Sequence, residues 1–156
     1  TLNSNKLFSK EWLQYLENDY SIFPQHVQLF YKNKNAQHSV AHVDVSSTGT
    51  LHGGAINWTL DPDDAEMVWY ETPNYKHTRE VSTTTNNQSK DWPILGLKEV
   101  DRCHVGQEAT LVRTDVPHTV DIGNTDRWAV SFRIITALSW QAHVTVLNQY
   151  FQNNQK

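Results

Sequence analysis

Cysteine is almost absent from this sequence, since Cys103 is the only one in 156 residues. A single thiol excludes an internal disulfide and any zinc site that is built from several cysteines. No stretch approaches the roughly 18 consecutive apolar residues that a membrane-spanning helix requires. The first residues contain no apolar run of the kind found in signal peptides. We therefore expect a cytoplasmic protein that has no membrane partner.

The sequence also lacks an excess of positive charge, because its formal net charge is −4 at pH 7. This balance argues against a nucleic-acid partner, which would require a basic surface. Lys32 and Lys34 form a short basic cluster, which we expect to be solvated. The length predicts one domain, residues 1–156, and 17 Trp, Tyr and Phe side chains are enough to fill one core.

Helix patterns occur only near the two ends of the chain. Ser9 is a candidate N-cap for a helix with apolar Trp12, Leu13 and Leu16, and Ser139 is a candidate cap for a second helix that follows it. Between them, short segments rich in β-branched or aromatic residues predict strands. These segments are 27–31, 40–45, 55–60, 66–70, 110–114, 118–122 and 128–135.

Seven or eight short strands flanked by helices predict an all-β core, either a sandwich or a barrel. Among these folds we expect a double-stranded β-helix, the cupin-like jelly roll, with N- and C-terminal helices. The polar segment 72–92 interrupts the strand pattern. We predict a long loop there, with a short strand at 76–82, and expect it to cover the functional site.

A candidate metal site begins with His42-Val43-Asp44. Successive side chains of a strand alternate between its faces, so His42 and Asp44 lie on one face. An imidazole and a carboxylate are two of the three ligands of the facial triad that binds non-haem Fe(II). The third ligand should come from a later strand that faces the same interior. His118, which follows Pro117, is the candidate.

Nine residues after His118, Arg127 begins a strand whose alternation puts Arg127, Ser131 and Arg133 on one face. An arginine inside a barrel is costly unless it meets an anion. The carboxylate of a dicarboxylic acid would provide that anion through paired hydrogen bonds. Arg133 shares this face and is the alternative anion-binding residue.

In this order and spacing, His42, Asp44, His118 and Arg127 resemble the signature of the 2-oxoglutarate- and Fe(II)-dependent dioxygenases. The string 127–132 resembles the prolyl hydroxylase branch, and segments 55–60 and 111–120 resemble small aspartyl/asparaginyl hydroxylases. The resemblance covers roughly residues 26–136 as an ordered pattern.

The resemblance implies an enzyme that hydroxylates a small molecule, an amino acid or a peptide side chain. Its metal ligands would be His42, Asp44 and His118, its cofactor Fe(II), and its cosubstrates 2-oxoglutarate and dioxygen. Arg127 would bind the far carboxylate of 2-oxoglutarate and Ser131 would assist. Asn57, which shares a strand face with Ala55 and Thr59, is a further candidate contact, with a solvent-facing position as the alternative. The primary substrate and the oligomeric state are open.

Two other functions remain open from the sequence. A cupin-type metal-binding protein or isomerase could use the same three ligands without 2-oxoglutarate chemistry. A β-sandwich interaction module without metal could use its six Trp to bind a ligand. His38 and His52 could also approach the site.

Overall fold

The computed structural model describes residues 2–3, 8–20, 23–35, 40–45, 53–61, 64–74, 79–82, 88–135 and 139–153. The described chain is mostly β, with one helix near each end. The elements are β1 (Leu2–Asn3), α1 (Lys10–Tyr20), β2 (Phe23–Lys32), β3 (Val40–Val45), β4 (Gly54–Thr59), β5 (Glu66–Tyr70), β6 (Arg79–Ser82), β7 (Gln88–Pro93), β8 (Glu99–His104), β9 (Thr110–Arg113), β10 (His118–Asp121), β11 (Arg127–Ile135) and α2 (Trp140–Asn153). No helix among these residues is long and apolar enough to cross a membrane.

The strands form two antiparallel sheets. The first has the order β1-β2-β11-β4-β9 and the second the order β6-β7-β3-β10-β5-β8. From β2 to β5, and again from β9 to β11, each successive strand lies in the other sheet. Strands that are distant in sequence therefore become neighbours, and β11 inserts between β2 and β4 while β10 inserts between β3 and β5.

Both helices begin where the sequence predicts. The Ser9 hydroxyl accepts a hydrogen bond from the Trp12 amide at 3.1 Å, and the Ser139 hydroxyl accepts one from the Ala142 amide at 3.3 Å. Each bond satisfies an amide that has no partner within its helix. Leu16 of α1 is buried against Phe132 of β11, so this helix covers part of the outer face of the first sheet.

An apolar core joins the two sheets. It is formed by Ala55, Met67, Trp69, Val105 and Val112, which are all buried. Met67 and Trp69 belong to the second sheet, whereas Ala55 and Val112 belong to the first. Burial of each large side chain contributes about 1.5–3 kcal/mol to stability, so this core fixes how the two sheets stack.

The predicted loop at 72–92 is wrong at residues 88–92, which belong to a strand. Residues 79–82 and 88–93 form β6 and β7, an antiparallel pair that extends the second sheet beyond β3. The strand expected at 76–82 is observed only as β6, and residues 75–78 and 83–87 lie outside the described residues. β7 has the polar sequence Gln-Ser-Lys-Asp-Trp-Pro, which does not predict a strand. It forms one because backbone pairing with β3 supplies its hydrogen bonds. The sequence also failed to predict β1 and β8.

Candidate metal centre

β3 and β10 bring the three predicted metal ligands together. His42 and His118 are directly opposite each other in this antiparallel pair, and their ring centroids are 4.5 Å apart. Asp44 lies two residues beyond His42 on the same face of β3, with 3.8 Å between its Oδ1 and His42 Nε2. One donor atom from each residue lies within 4.8 Å of the other two. We call His42, Asp44 and His118 the metal group.

The immediate surroundings orient His118 for metal binding. Its Nδ1 lies 2.9 Å from the carbonyl oxygen of Val116. Because a carbonyl can only accept, Nδ1 must carry the proton, which leaves the Nε2 lone pair available to a metal. Pro117, which separates these two residues, has no amide hydrogen, while its carbonyl accepts a bond from the Tyr70 amide at 2.9 Å. The chain before His118 is therefore tied to β5.

Arg133 holds the other side of Asp44. Its Nη1 lies 2.9 Å from Asp44 Oδ2, and both side chains are only 8% exposed. Its Nε donates to Gln28 Oε1 at 2.8 Å. Because Oδ2 is paired with Arg133, Oδ1 is the carboxylate oxygen that faces His42. Arg133 was the alternative anion-binding residue of the sequence analysis, and the structure places it against a metal-group ligand.

The protonation states of the metal group suit metal binding. Burial lowers the pKa of His118, and burial together with the neighbouring His118 lowers that of His42 to about 3. Both imidazoles are therefore neutral at pH 7. Burial by itself raises the pKa of Asp44, but the charge of Arg133 and the hydrogen bond from it outweigh this effect and hold the pKa below its usual range. Neutral imidazoles and an ionised carboxylate are the forms that bind metals.

The metal group lines a cavity of about 250 Å³ between the two sheets. All the predicted site residues reach this cavity. The described residues that line it are Phe30, Tyr31, Lys32, His42, Asp44, Asn57, Met67, Thr114, His118, Val120, Arg127, Ala129, Val130, Ser131 and Arg133. The predicted inward face of β11 is thus confirmed, because Arg127, Ala129, Ser131 and Arg133 are all buried.

Asn57 and Ser131 lie side by side in the cavity wall, since they are paired across β4 and β11. The Asn57 amide nitrogen donates to Met67 Sδ at 3.7 Å. Its Oδ1 is buried and has no hydrogen-bond partner. A buried acceptor without a partner is costly, so this oxygen is a ready contact for a ligand that donates a hydrogen bond.

Lys32 lies in the cavity lining, a position that was not predicted from the sequence. The structure corrects the expectation that it is solvated, since Lys32 is half-buried and lies in the lining, whereas Lys34 is exposed. Its Nζ donates to the carbonyl oxygen of Val120 at 3.3 Å. Alternation along β2 places Lys32 on the face of Gln28, which the structure shows to be buried, but alternation does not indicate that this face meets a cavity.

Among the described residues, His104 and Cys103 are not part of the cavity lining. His104 is exposed, and its Nδ1 lies 3.1 Å from the Ala65 carbonyl. Cys103 is partly buried, and burial raises its pKa, which disfavours a reactive thiolate. His38 and His52 lie outside the described residues. Comparison of the chain with protein-family models, with curated proteins and with solved structures found no match.

Proposed function

We propose that this protein is an Fe(II)- and 2-oxoglutarate-dependent dioxygenase that hydroxylates a small molecule, an amino acid or a peptide side chain. The observation that carries the proposal is the placement of the metal group in the same cavity as Arg127 and Ser131. 2-Oxoglutarate would use both features of this cavity. Its keto acid end would chelate the metal, and its second carboxylate would pair with the buried cation.

The fold supports this proposal through its strand order. Leaving aside β1, β6 and β7, which extend the sheets beyond β2 and β3, the sheets have the orders β2-β11-β4-β9 and β3-β10-β5-β8. Eight strands that alternate between two sheets except from β5 to β8, with the last strand beside the first, are expected of a double-stranded β-helix. We propose that fold here, with β3 and β10 as the strands that carry the metal ligands.

The donor set fits Fe(II). Two neutral imidazoles and one carboxylate on one side of the ion form the facial arrangement of non-haem iron oxygenases, which leaves positions open for other ligands. When bound, the iron would supply the oxidative chemistry that couples decarboxylation of 2-oxoglutarate to hydroxylation. The ligands would be His42 Nε2, Asp44 Oδ1 and His118 Nε2.

The remaining residues of the cavity would bind and orient the cosubstrate. Arg127 would hold the far carboxylate of 2-oxoglutarate with paired hydrogen bonds, and Ser131, four residues further along β11 towards Arg133 and the metal group, would assist. Asn57 would contact the cosubstrate or the primary substrate. Asp44 and Arg133 would keep the iron end of the cavity rigid. Of the three ligands, His42 is the one most open to solvent, with 37% of its side chain exposed.

The test is production of succinate from 2-oxoglutarate by purified protein with Fe(II) and air, with no primary substrate and with a panel of amino acids and peptides. We expect succinate above background, and its loss in His118→Ala together with loss of metal binding by calorimetry. His104→Ala is the matched control, because it removes an exposed histidine outside the cavity. Metal binding by the wild type without succinate under any condition would favour the cupin-type alternative.

A further inference from the structure

The charges in the cavity are unevenly distributed. Asp44 is the only acidic residue among the described residues that line it, and it is paired with Arg133. The two other cations of the lining, Lys32 and Arg127, lie at the opposite end of the β11 face. The cavity therefore has a metal-binding end with balanced charges and a second end with two cationic side chains.

Backbone register explains why these two cations are neighbours. Arg127 and Lys32 are directly opposite each other on β11 and β2, so their side chains leave the sheet about 5 Å apart on one face. Like charges in that position destabilise a sheet. An anion bound between Lys32 and Arg127 would replace this repulsion with a net attraction.

The position of the Lys32 ammonium relative to the metal group follows from its hydrogen bond. The acceptor is the carbonyl of Val120, which lies two residues beyond His118 on β10, roughly 7 Å along the strand. Lys32 belongs to the first sheet and Val120 to the second. The Lys32 side chain therefore crosses the cavity from one sheet to the other, and its ammonium lies a short distance from the metal group.

Electrostatic effects agree with this placement. Burial, together with the charge of Arg127, lowers the pKa of Lys32 to about 7, although Asp121 opposes the shift. The charge of Lys32 also contributes to the lowered pKa of His42. Lys32 is thus close enough to interact with Arg127 on one side and with the metal group on the other.

We infer that Lys32 and Arg127 together form a two-cation site for one carboxylate, and that Lys32 is a second direct contact for the far carboxylate of the diacid cosubstrate. This inference rests on the proposed function. If it holds, the preference of the site for a diacid over a monoacid depends on Lys32 of β2 as well as on Arg127 of β11.

The experiment measures the affinity of two keto acids for protein loaded with Mn(II), which binds without turnover. 2-Oxoglutarate carries the far carboxylate, and 2-oxopentanoate has the same chain length without it. We expect Lys32→Met to weaken 2-oxoglutarate binding by about 10- to 100-fold, the range for one charge-assisted hydrogen bond, and to leave 2-oxopentanoate binding unchanged. Lys32→Arg should restore most of the preference. Lys34→Met, an exposed lysine two residues away, is the matched control and should behave as wild type.

Three outcomes would overturn the inference. If Lys32→Met binds both acids as tightly as wild type, Lys32 makes no carboxylate contact, while the proposed function stands. Equal weakening for both acids would also exclude the contact, because the effect would then not depend on the far carboxylate. If Lys32→Met is unfolded, Lys32→Gln takes its place. If the Mn(II)-loaded wild type binds neither acid, the proposed function fails and this inference fails with it.

Discussion

Arg127 and Arg133 lie on the same strand and the same face, and each is 6% exposed, yet their neighbours differ. Arg133 is held by Asp44 and Gln28 next to the metal group. Arg127 lies opposite another cation, Lys32. Burial alone therefore does not define the role of an arginine. We propose that Arg133 stabilises the fold and Asp44, whereas Arg127 binds an anion.

The largest difference should appear in stability. We expect Arg133→Met to lower the free energy of unfolding of the metal-free protein by about 3–5 kcal/mol, because it leaves a buried carboxylate without its partner. Arg113→Met is the control, since it removes an arginine paired with Asp115 at 2.6 Å whose side chain is 42% exposed, and it should cost about 1 kcal/mol or less. Urea denaturation measures both values. Equal losses would mean that the Asp44–Arg133 pair adds nothing beyond a surface ion pair.

The second difference should appear in binding. We expect Arg127→Met to weaken 2-oxoglutarate binding to the Mn(II)-loaded protein by about 100-fold, because paired hydrogen bonds to a carboxylate are lost. Its metal affinity should be unchanged, and its stability should fall by less than that of Arg133→Met. Calorimetry with metal and then with cosubstrate measures both steps. Unchanged cosubstrate affinity would move the anion-binding role to Arg133.

A third difference should appear in the pH dependence of stability. The pKa of Lys32 is about 7 in the folded protein, whereas its ordinary value is 10.5. Between pH 7 and pH 10.5, Lys32 is therefore protonated in the unfolded chain but mostly deprotonated in the folded protein. The free energy of unfolding therefore rises with pH across this window, by at most about 1.4 kcal/mol per unit. We expect wild type to gain about 1–2 kcal/mol more than Lys32→Met between pH 7 and pH 9. A parallel pH profile in Lys32→Met would show that Lys32 keeps its proton in the folded protein.

The smallest effect is expected at Ser131, which lies between the two arginines. Ser131→Ala would remove the one hydrogen bond, from an uncharged donor, that we propose to the cosubstrate, so 2-oxoglutarate affinity should fall by about 3- to 10-fold. The free energy of unfolding should change little, because the hydroxyl is replaced by hydrogen without a change in backbone. Calorimetry on the Mn(II)-loaded variant measures the effect. A loss as large as that of Arg127→Met would assign Ser131 a larger part of the carboxylate site than proposed.

The sequence predicted the strands that are rich in β-branched and aromatic residues. The bounds of β3 and β5 agree with the predicted segments 40–45 and 66–70, because local preference and burial favour the same structure there. β7 and β8 were missed, since β7 is polar and β8 is mostly exposed. For these strands the decisive factor is backbone pairing with a neighbour, which local sequence does not encode.

The site shows the same division. Alternation along one strand was enough to place His42 beside Asp44, and Arg127 beside Ser131, on shared faces. The same rule applies to Lys32 on β2, but the rule shows only which face a residue occupies. Whether that face meets solvent or a cavity depends on β10, whose Val120 carbonyl accepts the Lys32 hydrogen bond.

By itself, then, the sequence determined the shared face of His42 and Asp44, the helix caps and the shared face of Arg127, Ser131 and Arg133, because each follows from a period of two or from a local hydrogen bond. Only the tertiary structure brought His118 opposite His42, paired Arg133 rather than Arg127 with Asp44, and turned Lys32 towards the cavity. These outcomes depend on which strands become neighbours when the chain alternates between two sheets. Residue periodicity cannot specify that choice, because it is set by packing between elements far apart in the chain.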